Sequence, residues 1–151
     1  MGDKSTDELN KLLENINTKS INQYRKENKN ELKDSPKAFY YFFKDTLEEK
    51  RISLKELYKN ADVSDSWGGK IIRMERHTTN RDVIIRLCLA GHFNLTETNR
   101  ALKLYEMSPL YARNTRDACI IVAINNRIYD ILKVDDILSE NNQDILMKEI
   151  E

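Results

Sequence analysis

Residues 57–64 read LYKNADVS, and this stretch decides the fold that we expect. Its spacing is that of a short helix, a tight turn and the serine cap of a second helix, because a serine hydroxyl accepts hydrogen bonds from the free N–H groups of a first helical turn. Asp62 stands in the turn, where aspartate adopts a left-handed backbone more readily than most residues. Further along, residues 83–90 read VIIRLCLA and lead through Gly91 to NLTET at residues 94–98. The pattern predicts two short helices joined by a fixed turn and packed against apolar helices.

Start signals and apolar stripes predict helices along the rest of the chain. The sequence has four glycines, two prolines and no sustained alternation at period two, which favours helices over a sheet. Cap residues at Ser35 (followed by Pro36), Ser53, Ser64, Thr79 and Asn94 predict five helices, at residues 36–50, 53–60, 64–76, 80–90 and 95–106. A sixth helix is predicted to begin at Asn114, and its apolar run at residues 118–124 is expected to be central or at a subunit contact.

We therefore predict an all-α fold in three regions. Residues 1–34 form an N-terminal helical arm, in which Ser5 or Thr6 caps a short helix and a second short helix surrounds Ile21 and Tyr24. Residues 35–107 form a five-helix core, and residues 108–151 form a C-terminal helical extension with an acidic tail. The arm is expected to pack on the core, to pair with a copy of itself or to remain partly disordered.

Composition limits the class of protein. The 25 basic and 25 acidic residues give no net charge, although the middle of the chain is basic and the tail is acidic. Proteins that bind the phosphates of nucleic acids usually have an excess of basic residues, so zero net charge does not favour such binding. No leader segment and no apolar run of about 18 residues is seen, so we expect a cytoplasmic protein that does not bind membranes.

Motifs for chemistry are scarce. Cys88 and Cys119 each lie in an apolar helical run and are expected to be buried thiols in a reducing compartment. The sequence has no glycine-rich phosphate loop, no paired catalytic carboxylates, no zinc-ligand spacing and no nucleophile elbow. We therefore expect neither an enzyme nor a bound metal or other cofactor.

Parts of the chain resemble the repressor-type, XRE/Cro-like helix-turn-helix family. Leu57, Val63 and Ser64 match its motif, with Asp62 in place of the usual glycine, and residues 84–97 are similar to its following helix. Residues 101–118 also resemble a group of uncharacterised bacterial helix-turn-helix proteins. The resemblance implies that the helix at residues 64–76 enters the major groove of double-stranded DNA. The implied function is that of a small transcriptional regulator that binds a palindromic site as a homodimer.

Ten residues are candidates for DNA contact under this resemblance: Ser64, Ser66, Trp67, Gly69, Lys70, Arg73, Arg76, Thr78, Thr79 and Arg81. The two serines stand at a helix N-terminus, where backbone N–H groups favour a phosphate. Lys70 and Arg73 are three residues apart, and we expect both to reach base edges or phosphates. The polar loop from Arg76 to Arg81 is expected to hold the DNA backbone. The alternative is that Ser64 is only a cap and that the basic residues solvate an ordinary surface.

A second function fits the same sequence: a protein-interaction adaptor that does not read DNA. Leu54 stands where the family often has glutamine, Asp65 carries the wrong charge for a phosphate, and Gly68 replaces an apolar packing residue. Trp67 then either fills the space beside that glycine or anchors a protein partner. The partner would bind the surface of residues 64–76 or the acidic C-terminal tail, in a signalling or toxin–antitoxin setting. A structural oligomer organised by the arm is a third possibility.

Overall fold

The computed structural model describes residues 5–14 and 37–148. All regular secondary structure in these ranges is helical, which confirms the all-α prediction for this part of the chain. The helices there are α1 (Thr6–Glu14), α2 (Ala38–Lys50), α3 (Leu54–Ala61), α4 (Asp65–Ile72), α5 (Arg81–Ala90), α6 (Leu95–Leu104), α7 (Thr115–Asn125) and α8 (Ile131–Glu140). The helix predicted around Ile21 and Tyr24 and the start signal at Ser35 and Pro36 lie outside the described residues.

Side-chain caps begin most of these helices. The side-chain oxygens of Ser53, Ser64, Asn94 and Asn114 accept hydrogen bonds of 2.8–3.2 Å from the backbone N–H three residues on, as the sequence predicts. The predicted cap at Thr79 is wrong. Asn80 caps α5 instead, because its extended backbone lets its side-chain oxygen accept from the N–H of Asp82 at 3.1 Å.

Non-glycine residues in the left-handed conformation follow or end most of the helices. They are Arg51, Asp62, Met74, His92, Glu106, Arg127 and Asn142, with φ between 56° and 62°. A glycine after a helix commonly takes the left-handed position, but the φ of Gly91 after α5 is −82° and His92 takes that position instead. Gly91 instead allows close packing, because a Cβ there would lie 2.8 Å from the Phe93 ring and 3.1 Å from Leu47.

α4 is shorter than predicted. The sequence pattern extends the helix to residue 76, whereas the structure ends it at Ile72. Met74 is left-handed, and the N–H of Glu75 turns back to the carbonyl of Lys70 at 2.9 Å, which closes the helix.

The centre of the core is α5. It packs against α3, α6 and α8, and every residue from Val83 to Ala90 is buried. Aromatic side chains extend this core towards α2, where the Phe39 ring meets Tyr105 edge-on at 4.8 Å and the Phe43 ring lies 4.7 Å from Phe93. The hydrophobic core thus contains side chains from α2, which precedes the α3–α4 pair, and from α5 and α6, which follow it.

The C-terminal helices share this core. α7 packs against α6 and α8, and Leu110, Ile120, Ile131, Leu138 and Leu146 belong to the same hydrophobic cluster as α5. The expectation that the apolar run of α7 is central is wrong, because the run is buried on one side only and Val122 is 55% exposed. A subunit contact at this helix stays a prediction.

The two cysteines are free and buried, as predicted. Burial raises the pKa of the Cys88 thiol, so that this group remains protonated and unreactive. In the arm, Ser5 caps α1 by accepting from the N–H of Glu8 at 3.1 Å, and α1 has no buried residue. None of the described helices is long and apolar enough to cross a membrane.

Candidate nucleic-acid interface

The turn between α3 and α4 is three residues long. Asp62 has the left-handed backbone predicted for it (φ 56°), and the N–H of Val63 bonds to the carbonyl of Tyr58 at 3.1 Å. Ser64 then caps α4 by accepting from the N–H of Trp67 at 3.1 Å. Backbone and cap together fix the direction in which α4 leaves the turn.

A buried arginine braces this turn from below. Arg86 of α5 is 2% exposed, and its guanidinium donates to the carbonyls of Ala61 at 2.6 Å and of Asp62 at 3.0 Å. Burial lowers the pKa of Arg86, and the carboxylates of Asp62, Asp135 and Asp82 oppose that shift. Sequence analysis missed this residue, although a charged side chain inside the apolar run VIIRLCLA is a signal of a buried polar contact.

Of the two adjacent glycines in α4, Gly68 lets the helix lie close to α3. A Cβ on Gly68 would lie 2.8 Å from the Tyr58 ring and 2.9 Å from Val63. Because Gly68 has no Cβ, α3 and the turn can pack closely against α4. A Cβ on Gly69 would meet only the end of the Arg73 side chain, at 2.7 Å. Gly68, and not Gly69, is therefore a packing feature of the α3–α4 pair.

The ten predicted contact residues do not all reach the surface. Ser64, Ser66 and Lys70 are exposed on α4 or its cap, whereas Gly69 is buried. Trp67 is partly buried and packs against the core, which does not favour the exposed anchor, whereas Tyr58 and Val63 occupy the space beside Gly68. The backbone of Gly69 is thus buried away from DNA, and the partly buried ring of Trp67 is poorly placed to touch it.

Arg73 is exposed but already ion-paired. It is the C-terminal cap residue of α4, and its Nε donates to Glu75 at 2.7 Å. The hydrogen bond from Arg73 lowers the pKa of Glu75, and the positive charges of Arg73, Lys37 and Lys70 add to that effect. Ser66, Lys70 and Arg73 lie on one side of α4 because they are spaced four and three residues apart. Glu75 partly neutralises the positive charge of Arg73 at the C-terminal end of that side.

The loop after α4 is held by Tyr105, the C-terminal cap residue of α6. The hydroxyl of Tyr105 accepts from the N–H of Thr78 at 3.0 Å and donates to the carbonyl of Arg76 at 3.4 Å. The His77 ring stacks on Tyr105, with centroids 4.7 Å apart. Burial raises the pKa of Tyr105, and the hydrogen bond from Thr78 opposes that rise. The loop thus has a fixed path with the side chains of Arg76 and Thr79 exposed, while that of Thr78 is partly buried.

Arg81 has a structural partner. Its guanidinium makes two bonds of 2.8 Å to the carboxylate of Asp117 and donates to the carbonyls of Ser108 and Pro109 at 3.0 and 2.9 Å. Burial alone would raise the pKa of Asp117, but hydrogen bonds from Arg81 and from the N–H of Tyr111 leave that pKa below its ordinary value. These bonds occupy four of the five N–H groups of Arg81. We therefore leave Arg81 out of the candidate interface, contrary to the sequence-based expectation.

We call the exposed candidates other than the ion-paired Arg73 the α4 surface: Ser64, Ser66, Lys70, Arg76 and Thr79. The loop returns to α4, because the N–H of Arg76 bonds to the carbonyl of Lys70 at 3.2 Å. Asp65 and Glu75 are exposed beside these residues and reduce the positive charge of the region. Among the described residues, no three His, Cys, Asp or Glu side chains are grouped to hold a metal ion.

Comparison with known proteins adds no family to this geometry. No family model matches the chain, and neither the curated proteins nor the solved structures contain a match.

Proposed function

We propose that the chain is a small DNA-binding regulator of bacterial XRE/Cro-like type, in which α3 and α4 form a helix-turn-helix and α4 enters the major groove. The observation that carries the proposal is the Ser64-capped α4. Its inner side is packed through Gly68, Ile71 and Ile72, while Ser66 and Lys70 point to solvent. A short braced helix with small polar residues at its start and a lysine one turn later fits the groove geometrically.

Each residue of the α4 surface has a role in this proposal. Ser64 and Ser66 donate their hydroxyls to phosphate oxygens near the N-terminus of α4. Lys70 contacts a phosphate or the acceptor edge of a guanine. Arg76 and Thr79 hold the DNA backbone beside the groove. Asp65 opposes phosphate approach, so binding relies on few charges and on shape.

A homodimer completes the proposal. Two copies related by a two-fold axis would place their α4 helices in successive major grooves, about 34 Å apart along the duplex. The target would then be a near-palindromic site in cytoplasmic DNA, and the protein would act there as a transcriptional regulator.

The test begins with capture of fragmented genomic DNA by the purified full chain at two salt concentrations. Binding to an enriched fragment is then measured by fluorescence anisotropy across a salt series. Lys70→Ala should reduce the slope of log Kd against log salt by about 1, because one phosphate contact is lost. Lys133→Ala removes an exposed lysine from α8 and is the matched control, with no expected change.

Glu75→Gln tests the same surface in the opposite direction. Removing the carboxylate frees Arg73, so the salt slope should steepen by about 1 if Arg73 then reaches a phosphate. Glu140→Gln, at an exposed position of α8, controls for the change in net charge. The proposal is rejected if the protein shows no saturable DNA binding at both salt concentrations.

One observation favours the adaptor as the second candidate. A groove of about 230 Å³ lies beside α4, lined mainly by apolar and aromatic side chains such as Leu54, Tyr58 and Ile72, with the charged residues Lys44, Glu48 and Arg73 also in its wall. Leu54 is 48% exposed at its edge, although it begins a helix whose other large apolar side chains are buried. An adaptor would use this groove for an apolar side chain of a protein partner. Leu54→Asp would abolish such binding, and an adaptor of this kind would show no saturable DNA binding at any salt concentration.

A further inference from the structure

The N-terminal helix α1 carries an apolar side that the structure leaves exposed. Leu9, Leu12 and Leu13 are spaced three and four residues apart and therefore lie on one side of α1. Leu12 is 40% exposed, Leu13 is 44% exposed, and no residue of α1 is buried. Isolated helices shorter than about 12–15 residues are only marginally stable in water, and α1 has nine residues. This helix therefore requires an apolar surface against which to pack.

The groove beside α4 is an apolar surface of the core that lacks a cover. Leu47, Tyr58 and Ile72 are among the residues that line it, and they come from α2, α3 and α4. Leu54 stands at its edge and is 48% exposed. An apolar side chain placed in the groove would remove Leu54 from water, which is favourable because burial of apolar surface drives packing.

The N-terminal arm joins the core at the rim of this groove. The amino group of Lys37 donates to the carbonyl of Arg73 at 3.2 Å, and Arg73 is one of the residues that line the groove. Tyr40, within the first turn of α2, also lines it. The 22 residues between Glu14 and Lys37 can span at most about 70 Å. The chain is therefore long enough for α1 to reach every part of the groove from its own point of attachment.

The charges of the two surfaces are complementary. α1 has three carboxylates and one lysine, so its net charge is −2. Lys44 and Arg73 in the wall of the groove are positive, and Glu48 is negative. Glu8 precedes Leu12 by four residues and so borders the leucine side of α1, where it can meet one of the two cations.

We propose that α1 docks with its leucine side in the groove beside α4 of the same molecule, and that the arm thereby closes this groove to protein partners. Leu12 and Leu13 cover Leu54, and Glu8 faces the positive wall. A protein that uses the groove has to displace α1 and must present an apolar side chain of its own. The proposal concerns a surface other than the one assigned to DNA and does not depend on DNA binding.

Alkylation of one new thiol in the full-length protein tests the docking. Cys88 and Cys119 are buried, so Leu54→Cys supplies an exposed thiol whose reaction with iodoacetamide is followed by mass spectrometry. This thiol should react at least tenfold more slowly than in a protein that also carries Leu12→Gln and Leu13→Gln, because that α1 has lost its apolar side. Equal rates in the two proteins would overturn the proposal.

Matched variants exclude other causes of a change in rate. Lys11→Gln with Glu14→Gln alters the polar side of α1 at constant net charge and should leave the thiol protected. A thiol at Lys133→Cys, on the exposed side of α8, should react at the same rate with and without the two leucines. Glu48→Cys places a second thiol in the groove without changing any of its apolar residues, and it should show the same protection as Leu54→Cys.

Protein concentration separates the arm of the same molecule from the arm of a second copy. Docking within one molecule predicts a slow alkylation rate that is the same in dilute and in concentrated protein. Protection that appears only as the concentration rises would place α1 in the groove of a second copy and would overturn the proposal. Circular dichroism of each variant confirms that the core helices remain folded.

Discussion

Replacing Gly68 with alanine should destabilise the protein, although alanine is the better helix former. A Cβ at this position would lie 2.8 and 2.9 Å from two carbons of the Tyr58 ring and 2.9 Å from Val63. Contacts of this length do not persist, so the ring, the valine or the whole of α4 must move. Tyr58 is 5% exposed and has little room to turn aside.

The magnitude follows from two opposed terms. Alanine gains about 1 kcal/mol in helix propensity over glycine. Overpacking at a close helix contact costs about 1–3 kcal/mol, and three contacts with rigid groups place Gly68 in the upper part of that range. The net loss should be about 1–2 kcal/mol. In a chain of this size the Tm should fall by about 3–6 °C.

Gly69→Ala is the matched control in the same helix. The atom that would meet its Cβ is Nη1 of Arg73, the end of a flexible side chain that is 45% exposed. Arg73 can move aside, so the helix propensity gain should remain and the stability should rise by up to about 1 kcal/mol. The two adjacent glycines should therefore differ by about 2 kcal/mol in their response to the same substitution.

Urea unfolding measures both variants. Trp67 is the only tryptophan of the chain and adjoins Gly68, so its fluorescence reports on α4, and circular dichroism at 222 nm reports on all helices. Equal midpoints for the two variants would refute the packing argument. A Gly68→Ala variant more stable than the wild type would show that α4 does not approach Tyr58 as described.

Three further substitutions test other parts of the structure. Glu106→Gly should raise the stability by about 0.5–1 kcal/mol, because Glu106 is left-handed at φ 61° and glycine adopts that conformation freely; calorimetry should show a higher Tm, and a lower one would contradict this. Asp117→Asn should cost about 2 kcal/mol at pH 7 by breaking the paired bonds to Arg81. The folded-state pKa of Asp117 is lowered, so the stability that its bonds to Arg81 provide is fully present above the unfolded pKa near 4. That stability is lost as the pH falls through the folded pKa. The urea midpoints of the wild type and of Asp117→Asn should therefore converge in acid. Tyr105→Phe should cost about 1 kcal/mol and speed exchange of the Thr78 amide, and unchanged exchange would argue against the hydrogen bond.

Local signals were sufficient to predict much of the helical fold. The caps at Ser53, Ser64, Asn94 and Asn114 follow from side-chain oxygens that reach a backbone N–H three residues away, and that distance is encoded in the sequence itself. The left-handed turn at Asp62 is local in the same sense. The cap of α5 shows the limit of such signals, because Thr79 was predicted and Asn80, one residue later, is the cap.

Contacts between distant residues were not predictable. Arg81 was expected to bind phosphate, because nothing near it in the sequence indicates that Asp117, 36 residues later, satisfies its charge. Arg86 bonds to carbonyls 24, 25 and 62 residues away, and its apolar surroundings gave only a general sign of a buried role. The early end of α4 at Ile72 likewise depends on a left-handed methionine that no local rule favours.

The complete burial of residues 83–90 of α5 has a consequence for how substitutions are tolerated. A helix on a protein surface accepts polar residues on one side, so tolerance follows a period of 3.6 residues. Residues 83–90 have no such side, and one of them is an arginine whose charge is required by its surroundings. A saturation scan should find eight consecutive positions here at which most substitutions destabilise the protein. Apolar substitutions should be destabilising at Arg86, and polar substitutions should be destabilising at its neighbours. Sequence drift in this protein should then be concentrated in the outer helices, while this one segment changes slowly.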